Sequence, residues 1–255
     1  MNYEEFKKLI YKKTQINLSY YKERQMKRRI ESLIKRNGFR NYEDYYAQIN
    51  KDKKLFNEFI NYLTINVSEF FRNPSQWVLL ENEIFPALLK DNKKFKIWSA
   101  ACSTGEEPYS LVMALNQFLP LEAIKILATD IDQEAIKKAK LGIYTPKSVE
   151  NVPKHLFKKH FTQIGSIYKI NEDIKKCVEF KQHNLLNDAY PNQCDLIICR
   201  NVMIYFTEES KEIMYKKFHD SLTDRGILFV GSTEQIILPN RYNLQPLKTF
   251  FYKKI

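Results

Sequence analysis

Residues 95–111, FKIWSAACSTGEEPYSL, constrain this chain more than any other stretch. They open with a short apolar run that ends in small residues, which suits a buried parallel strand leading into a tight turn. Ser103, Thr104 and Gly105 make the turn. Glu106, Glu107 and Pro108 then start a helix, because carboxylates favour the positive end of the helix dipole and proline fits the first turn. In an open α/β sheet, such a strand–loop–helix unit faces a ligand at the carboxyl ends of the strands.

The loop is informative for what it lacks. A dinucleotide or nucleoside-triphosphate loop needs several glycines so that backbone amides can wrap a phosphate. Here a single glycine stands in the turn, with two carboxylates where a phosphate would sit. A diphosphate would be repelled, whereas a ligand carrying an amine or a sulfonium, such as S-adenosylmethionine, would not. Glu106 is the acid expected to face that ligand, and Glu107 is read as an acid that starts the helix.

A chain of 255 residues with 44% hydrophobic side chains can bury a substantial core. No apolar run approaches the roughly 20 residues of a membrane span. The first 13 residues set Tyr3, Phe6, Leu9 and Ile10 among Glu and Lys, the pattern of an amphipathic helix and not of a secretory signal. Cys102, Cys177, Cys194 and Cys199 show no paired spacing, so neither a disulfide frame nor a zinc site is expected, and no metal ligands are proposed. These features fit reduced thiols in a cytoplasmic protein.

The net charge of +11 is unevenly placed: residues 1–75 carry 16 basic and 9 acidic side chains. An acidic partner is therefore expected to dock on the first part. That part reads as helices only. Ser19 is placed as the cap of a helix over about 20–37 with Gly38 as its stop, and Met26, Ile30, Leu33 and Ile34 form its apolar stripe. Arg24, Arg28 and Lys35 fall opposite that stripe, and Lys22, Arg29 and Arg36 run along one flank. Against only Glu23 and Glu31, this basic density exceeds what solvation needs and marks a recognition face. Two further helices are expected over 42–49 and 55–63. An extended segment follows, in which Asn66 and Ser68 share a face, and Pro74 marks a boundary ahead of a helix that starts near Trp77 and leads to the sheet.

From residue 96 strands and helices alternate, the pattern of a parallel sheet covered on both faces. Strands are expected over 96–101, 124–129, 178–182, 195–199, 226–230 and 250–252, with helices over 108–118, 133–139 and 208–222. Residues 143–176 fit no simple crossover; two β-prone pieces, 156–164 and 167–170, flank Gly165–Ser166 and read as an inserted hairpin-like lobe. Asp130 ends the second strand, where a carboxylate can accept both hydroxyls of a ribose, while Asp132 is suited to cap the next helix. Asn184 and Leu185 stand at another strand end, where they either frame an adenine or make a turn. Residues 199–206, CRNVMIYF, follow a strand at the same edge. They lack the Asp/Asn–Pro–Pro–aromatic arrangement of enzymes that methylate amines, which argues against a nucleobase amine as acceptor.

Four ordered phrases, TINVSEFFR (64–72), IWSAACSTGEEPYS (97–110), ATDID (128–132) and CRNVMIYF (199–206), resemble the chemotaxis receptor glutamate methyltransferase (CheR) family over nearly the whole chain. The resemblance implies an α/β fold: a Rossmann-like S-adenosylmethionine-dependent methyltransferase domain at 74–255 with a small inserted β lobe at about 143–176, preceded by a small all-α receptor-recognition domain at 1–73. It implies methyl transfer from S-adenosylmethionine, leaving S-adenosylhomocysteine, to glutamate γ-carboxylates on the cytoplasmic helices of methyl-accepting chemotaxis receptors. The enzyme would be a cytoplasmic monomer with no nucleic-acid partner and no membrane insertion. Carried over by motif, Asn66, Ser68, Arg72, Glu106, Asp130, Asn184, Leu185, Asn201 and Val202 would contact the cofactor. Tyr205 would lie beside the reactive methyl, with Arg72 and Tyr205 orienting the acceptor. Lys22, Arg24, Arg28, Arg29, Lys35 and Arg36 would meet the receptor. Ser68 stands where some members have threonine. The lobe is shorter and poorer in glycine than in members that grip a receptor's C-terminal peptide, which argues against tail tethering.

Two other readings compete. The basic N-terminal part also suits an RNA or ribosome methyltransferase, and a chain of this organisation could serve as a non-catalytic receptor adaptor. Glu106, Asp130 and Tyr205 speak against the adaptor.

Overall fold

The computed structural model describes residues 1–90 and 95–255. Helices α1 (Tyr3–Thr14), α2 (Glu23–Arg36), α3 (Tyr42–Lys51) and α4 (Lys53–Thr64) form an N-terminal bundle. Each start has a local cause except that of α2. Asn2 and Glu5 form a reciprocal capping box on α1, Asn41 accepts from Asp44 N on α3, and Asp52 accepts from Lys54 N and Leu55 N on α4. Phe6, Ile10, Met26, Ile30, Leu33, Tyr45 and Phe59 pack together inside the bundle. Phe6 meets Phe59 edge-on at 6.0 Å.

The helix expected over 20–37 starts later than its sequence pattern, at Glu23. Leu18–Tyr20 is a 3₁₀ turn capped by Asn17, which accepts from Ser19 N, so Ser19 is not the cap. Tyr21 is extended, forms a β-bridge with Phe206 and sets its ring 4.9 Å from that residue's ring. A contact made 185 residues away in the chain overrides local helix propensity there. Gly38, at φ 79°, follows the helix end as expected.

The segment after α4 is bent, not simply extended. Ile65, Phe71 and Asn73 take left-handed backbone conformations at φ 50°, 50° and 60°. The bends turn Phe70 and Phe71 into the core, where both are buried. Pro74 opens α5 (Pro74–Leu79), three residues before the expected start, and a π turn over Leu80–Ile84 leads into α6 (Phe85–Leu89). Residues 91–94 of the expected run to the sheet lie outside the described residues.

The remaining elements are β1 (Ile97–Ser99), α7 (Glu106–Leu115), β2 (Ile126–Asp130), α8 (Gln133–Leu141), β3 (Ile143–Tyr144), α9 (Lys154–His160), β4 (Phe161–Ile164), β5 (Ile167–Ile170) and α10 (Glu172–Lys175). There follow β6 (Val178–Gln182), β7 (Cys194–Cys199), α11 (Glu208–Ser221), β8 (Leu222–Val230), β9 (Leu244–Lys248) and β10 (Phe251–Lys254). The main sheet runs β6-β2-β1-β7-β8-β10-β9. It is parallel except for β10, which runs antiparallel to both neighbours. The sheet is therefore mixed, and β9 is a strand that the sequence pattern hides. Pro246 and exposed Gln245 and Lys248 disguise it, and an edge strand tolerates all three.

Alternate residues of the central strands feed two apolar layers. Ile97, Ile126, Leu196 and Phe229 join α7 on one face, while Trp98, Ile197 and Leu228 join α11 on the other. The inserted lobe is a three-stranded antiparallel sheet, β3-β5-β4. Residues 154–160 are helical instead of β, with the Phe157 and Phe161 rings stacked at 5.4 Å, so only 161–164 pairs with 167–170 around Gly165.

Asp132 ties the two parts together. Its Oδ1 accepts from Glu134 N and Ala135 N at the start of α8, and its Oδ2 accepts from Thr64 Oγ1 at 3.0 Å and Asn66 Nδ2 at 2.6 Å. Replacing Asp132 with Ala leaves two helix donors uncapped and removes the acceptor shared by Thr64 and Asn66. The variant is expected to lose about 2–3 kcal/mol of unfolding free energy in urea titration.

Candidate functional site

The strand order reverses between β1 and β7, and a cleft opens at the carboxyl ends of the parallel strands on that line. It holds about 940 Å³ of empty space, part of it open to solvent. Its floor comes from Ala100, Ala101 and Ser103 after β1, Asp130 ending β2, His183 after β6 and Arg200–Val202 after β7. Its roof comes from the N-terminal part: Tyr21, Leu63, Thr64 and the bent segment carrying Asn66, Ser68 and Arg72.

The turn after β1 has little left to offer an anion. Ser103 N donates to Asp130 Oδ2 at 2.8 Å, Cys102 N to Thr129 O at 2.9 Å and Gly105 N to Cys102 O at 2.9 Å. Gly105 is required here: at φ 94°, a Cβ would stand 2.9 Å from the Ala139 Cβ. Asp130 is only 8% exposed. Burial pushes its carboxyl up to about 6, against the lowering effect of the Ser103 and Asp132 amides.

Of the two acids that start α7, Glu107 lines the cleft, accepting from Ser99 Oγ at 2.8 Å with Arg200 at 3.6 Å. It starts the helix and also faces the cleft, a role the sequence pattern did not assign to it. Glu106 lies behind the wall, 3% exposed, accepting from Thr104 Oγ1 at 2.7 Å and from the Ser68 side chain. Burial raises the carboxyl of each above its ordinary value.

Asn66, Ser68, Arg72, Asp130, Asn184, Leu185, Asn201, Val202 and Tyr205 all line this one cleft. Asn184 is also a turn residue: its Oδ1 accepts from Leu186 N, and its Nδ2 reaches Gln15 O at 3.3 Å in the N-terminal bundle. Tyr205 sits on a 3₁₀ turn whose carbonyl accepts from Lys22 N at 2.9 Å.

Three contributors escaped the sequence pattern. Tyr21 roofs the cleft. His183 lines it with Nδ1 buried and unpartnered, while Nε2 lies 3.2 Å from Ala189 O. Glu234, 5% exposed, accepts from the amides of Gly231, Asn201 and Ile204 and so holds the turn that carries Tyr205. Asp130 is the last residue of β2, whereas Glu234 lies in the loop beyond the end of β8 at Val230, so strand-end position did not mark it.

On α2, Lys22, Arg24, Arg28, Lys35 and Arg36 are exposed. Arg29 is instead half-buried, donating to Tyr62 O at 2.6 Å with its guanidinium 4.6 Å over the Tyr62 ring. Arg36 pairs with Glu58 at 2.6 Å. The flank of α2 thus braces α4, and the opposite face keeps its charge for solvent.

Residues 66–251 match the family model described as the CheR methyltransferase, SAM binding domain, and residues 1–64 match the CheR methyltransferase, all-alpha domain. The chain belongs to the CheR methyltransferase family. A chemotaxis protein methyltransferase of Listeria innocua is 41% identical over 99% of this chain and 97% of its own length, and one of Listeria monocytogenes matches to the same extent. That of Borreliella burgdorferi is 35% identical over 97% of this chain and 92% of its own.

S-adenosylmethionine is the cofactor of this CheR family domain, and the residues present fit it. The cleft wall carries Glu69, Glu107 and Asp130 against Arg72 and Arg200, with Glu106 and Glu234 buried close behind. That surplus of carboxylates suits a cation, and the committed amides of the β1 turn disfavour a phosphate. Among the described residues no cluster of metal-ligating side chains occurs, and no helix is long and apolar enough to cross a membrane.

Glu234→Gln sets an amide NH₂ among backbone donors that need an acceptor. It is expected to cost about 1–3 kcal/mol in denaturant unfolding.

Proposed function

We propose that this chain is a cytoplasmic, monomeric enzyme that transfers a methyl group from S-adenosylmethionine to glutamate γ-carboxylates on the cytoplasmic helices of chemoreceptors. Residues 1–73 serve receptor recognition and 74–255 catalysis, with the inserted lobe touching the receptor body. The observation that carries this reading is the 41% identity, over 99% of the chain, to a chemotaxis protein methyltransferase. The carboxylate-rich cleft supports the choice of donor.

Asp130 would receive the ribose hydroxyls, Asn184 and Leu185 would frame the adenine, and Asn66, Ser68, Asn201 and Val202 would complete the grip, with Glu106 holding Ser68 and Thr104 from behind the wall instead of touching the cofactor. Bound there, S-adenosylmethionine supplies a methyl group on a positively charged sulfur, already activated for displacement. The protein's task is then placement. A glutamate carboxylate is ionised at neutral pH and needs no general base. Arg72 and the Tyr205 hydroxyl orient it, and holding the reacting atoms in line can contribute about 7–11 kcal/mol of barrier lowering. Arg72 must not overbind the carboxylate, because the reaction consumes its charge. The Tyr21 roof and the bent 65–73 segment exclude water from the reacting centre.

Receptor attraction falls to the exposed face of α2, Arg24, Arg28 and Lys35, with Lys22 beside the cleft roof. Arg29 and Arg36 contribute less than their sequence positions imply, since both are engaged with α4. The smaller free charge also weakens the case for a nucleic-acid partner.

Incubation with labelled donor and a receptor cytoplasmic fragment should place label on the fragment that base releases as methanol. Label on RNA and none on the fragment would reject the reading. Charge reversal at Arg28 and Lys35 is expected to raise the KM for the receptor about tenfold at low salt, leaving donor affinity within about twofold. A KM unchanged at low salt removes the α2 assignment.

The pH dependence follows from Asp130. Burial holds its carboxyl at about 6 in the free protein. Hydroxyl donors favour the ionised form and lower that value on binding. Donor affinity is therefore full above pH 6 and falls by up to about tenfold per unit below it, down to the bound-state value. Calorimetry with S-adenosylhomocysteine should show this step in the parent enzyme and lose it in Asp130→Asn.

A further inference from the structure

Arg200 is among the most deeply placed cations of the described residues, its side chain 2% exposed. One of its terminal nitrogens spans three acceptors on a single turn: Arg72 O at 2.9 Å, Asn73 Oδ1 at 3.0 Å and Gln76 Oε1 at 2.7 Å. The other lies 3.6 Å from Glu107 Oε2, and the guanidinium carbon stands 4.8 Å over the Phe229 ring. Trp77 Nε1 donates to the same Arg72 carbonyl at 3.0 Å.

Phe71 and Asn73, on either side of Arg72, are both left-handed. Non-glycine residues hold that conformation only where surroundings compel it. The two donors on the Arg72 carbonyl are that compulsion. Arg200 also immediately precedes Asn201, on the turn that Glu234 holds and that leads to Tyr205. It therefore yokes the roof segment bearing Arg72 to the floor turn bearing Tyr205. Glu107 balances its charge, while Arg72, whose Nη1 donates to Val67 O at 3.2 Å, lines the cleft beside it.

We propose that Arg200, buried against Glu107, is a positioning residue that sets the 71–76 turn and thereby aims the Arg72 side chain into the cleft. This rests on the assignment of Arg72 to donor and acceptor contact made above. A planar fork is needed, because a lysine ammonium can replace the charge but cannot span the turn and also face Glu107.

The test compares the parent enzyme with Arg200→Lys, Arg72→Ala and the double variant. The readouts are S-adenosylhomocysteine affinity by calorimetry, kcat and KM for a receptor fragment, and thermal melting. Arg200→Lys is expected to weaken S-adenosylhomocysteine and lower kcat about tenfold each, with the receptor KM within about twofold. In the Arg72→Ala background the same change should cost less than about twofold further. Multiplying losses, or undiminished affinity and kcat in Arg200→Lys, would overturn the proposal. If Arg200→Lys does not fold, Gln76→Met removes one acceptor without altering charge and carries the same comparison. Failure of the parent enzyme to methylate the fragment would discard the acceptor assignment, while the calorimetric comparison still decides the role of Arg200.

Discussion

The hydrogen bond from Ser103 N to Asp130 Oδ2 is the contact on which the site depends. It closes the end of β1 against the end of β2, and it uses an amide that a phosphate loop would have kept free. The same bond shields a carboxylate that burial would otherwise neutralise, since amide donors favour the ionised form while desolvation opposes it. The cleft is left acid-rich and poor in free donors. Ligand charge is thereby decided before ligand shape is considered.

Around that corner the protein arranges buried ionisable groups in compensated sets. Glu234 is satisfied by backbone amides, Glu107 by Ser99 and Arg200, and Glu106 by Thr104 and Ser68. Leaving any of these carboxylates bare in the interior would be costly, so each is paired with a segment that the site needs held. The outcome is a cleft whose walls are placed by their own electrostatics. The N-terminal bundle joins this scheme and does not merely sit beside it. Asp132 bonds Thr64 and Asn66, Lys22 bonds the Tyr205 carbonyl, and Asn184 bonds Gln15 O. The cleft walls and the N-terminal bundle are consequently held to one another by hydrogen bonds.

Much of this was legible from local chemistry. The alternation of strands and helices, the cap at Asp132, the stop at Gly38 and the strand-end position of Asp130 follow from period, capping and turn rules, while Asn66 and Tyr205 were marked by the family resemblance. Where the pattern misled, the reason differed from element to element. Tyr21 leaves the helix because Phe206 pairs with it, and β9 escapes notice because an edge strand can carry a proline. Residues 154–160 are helical through near neighbours instead, with the Phe157 ring stacked on Phe161 one turn on. Arg29 and Arg36, equal to their neighbours in sequence, are drawn aside by Tyr62 and Glu58.

The amino-acid order alone determined the class of fold, the acid-rich character of the loop after the first strand and the strand ends that line the cleft. These rest on residue type and near-neighbour spacing, which act over a few positions. Only the folded chain decided which of two adjacent acids faces the cleft, which arginines remain free, and that Arg200 and Glu234 hold the walls. Those outcomes depend on groups that lie far apart in the chain and meet only when the sheet closes, where burial makes each unpaired charge too costly to leave alone.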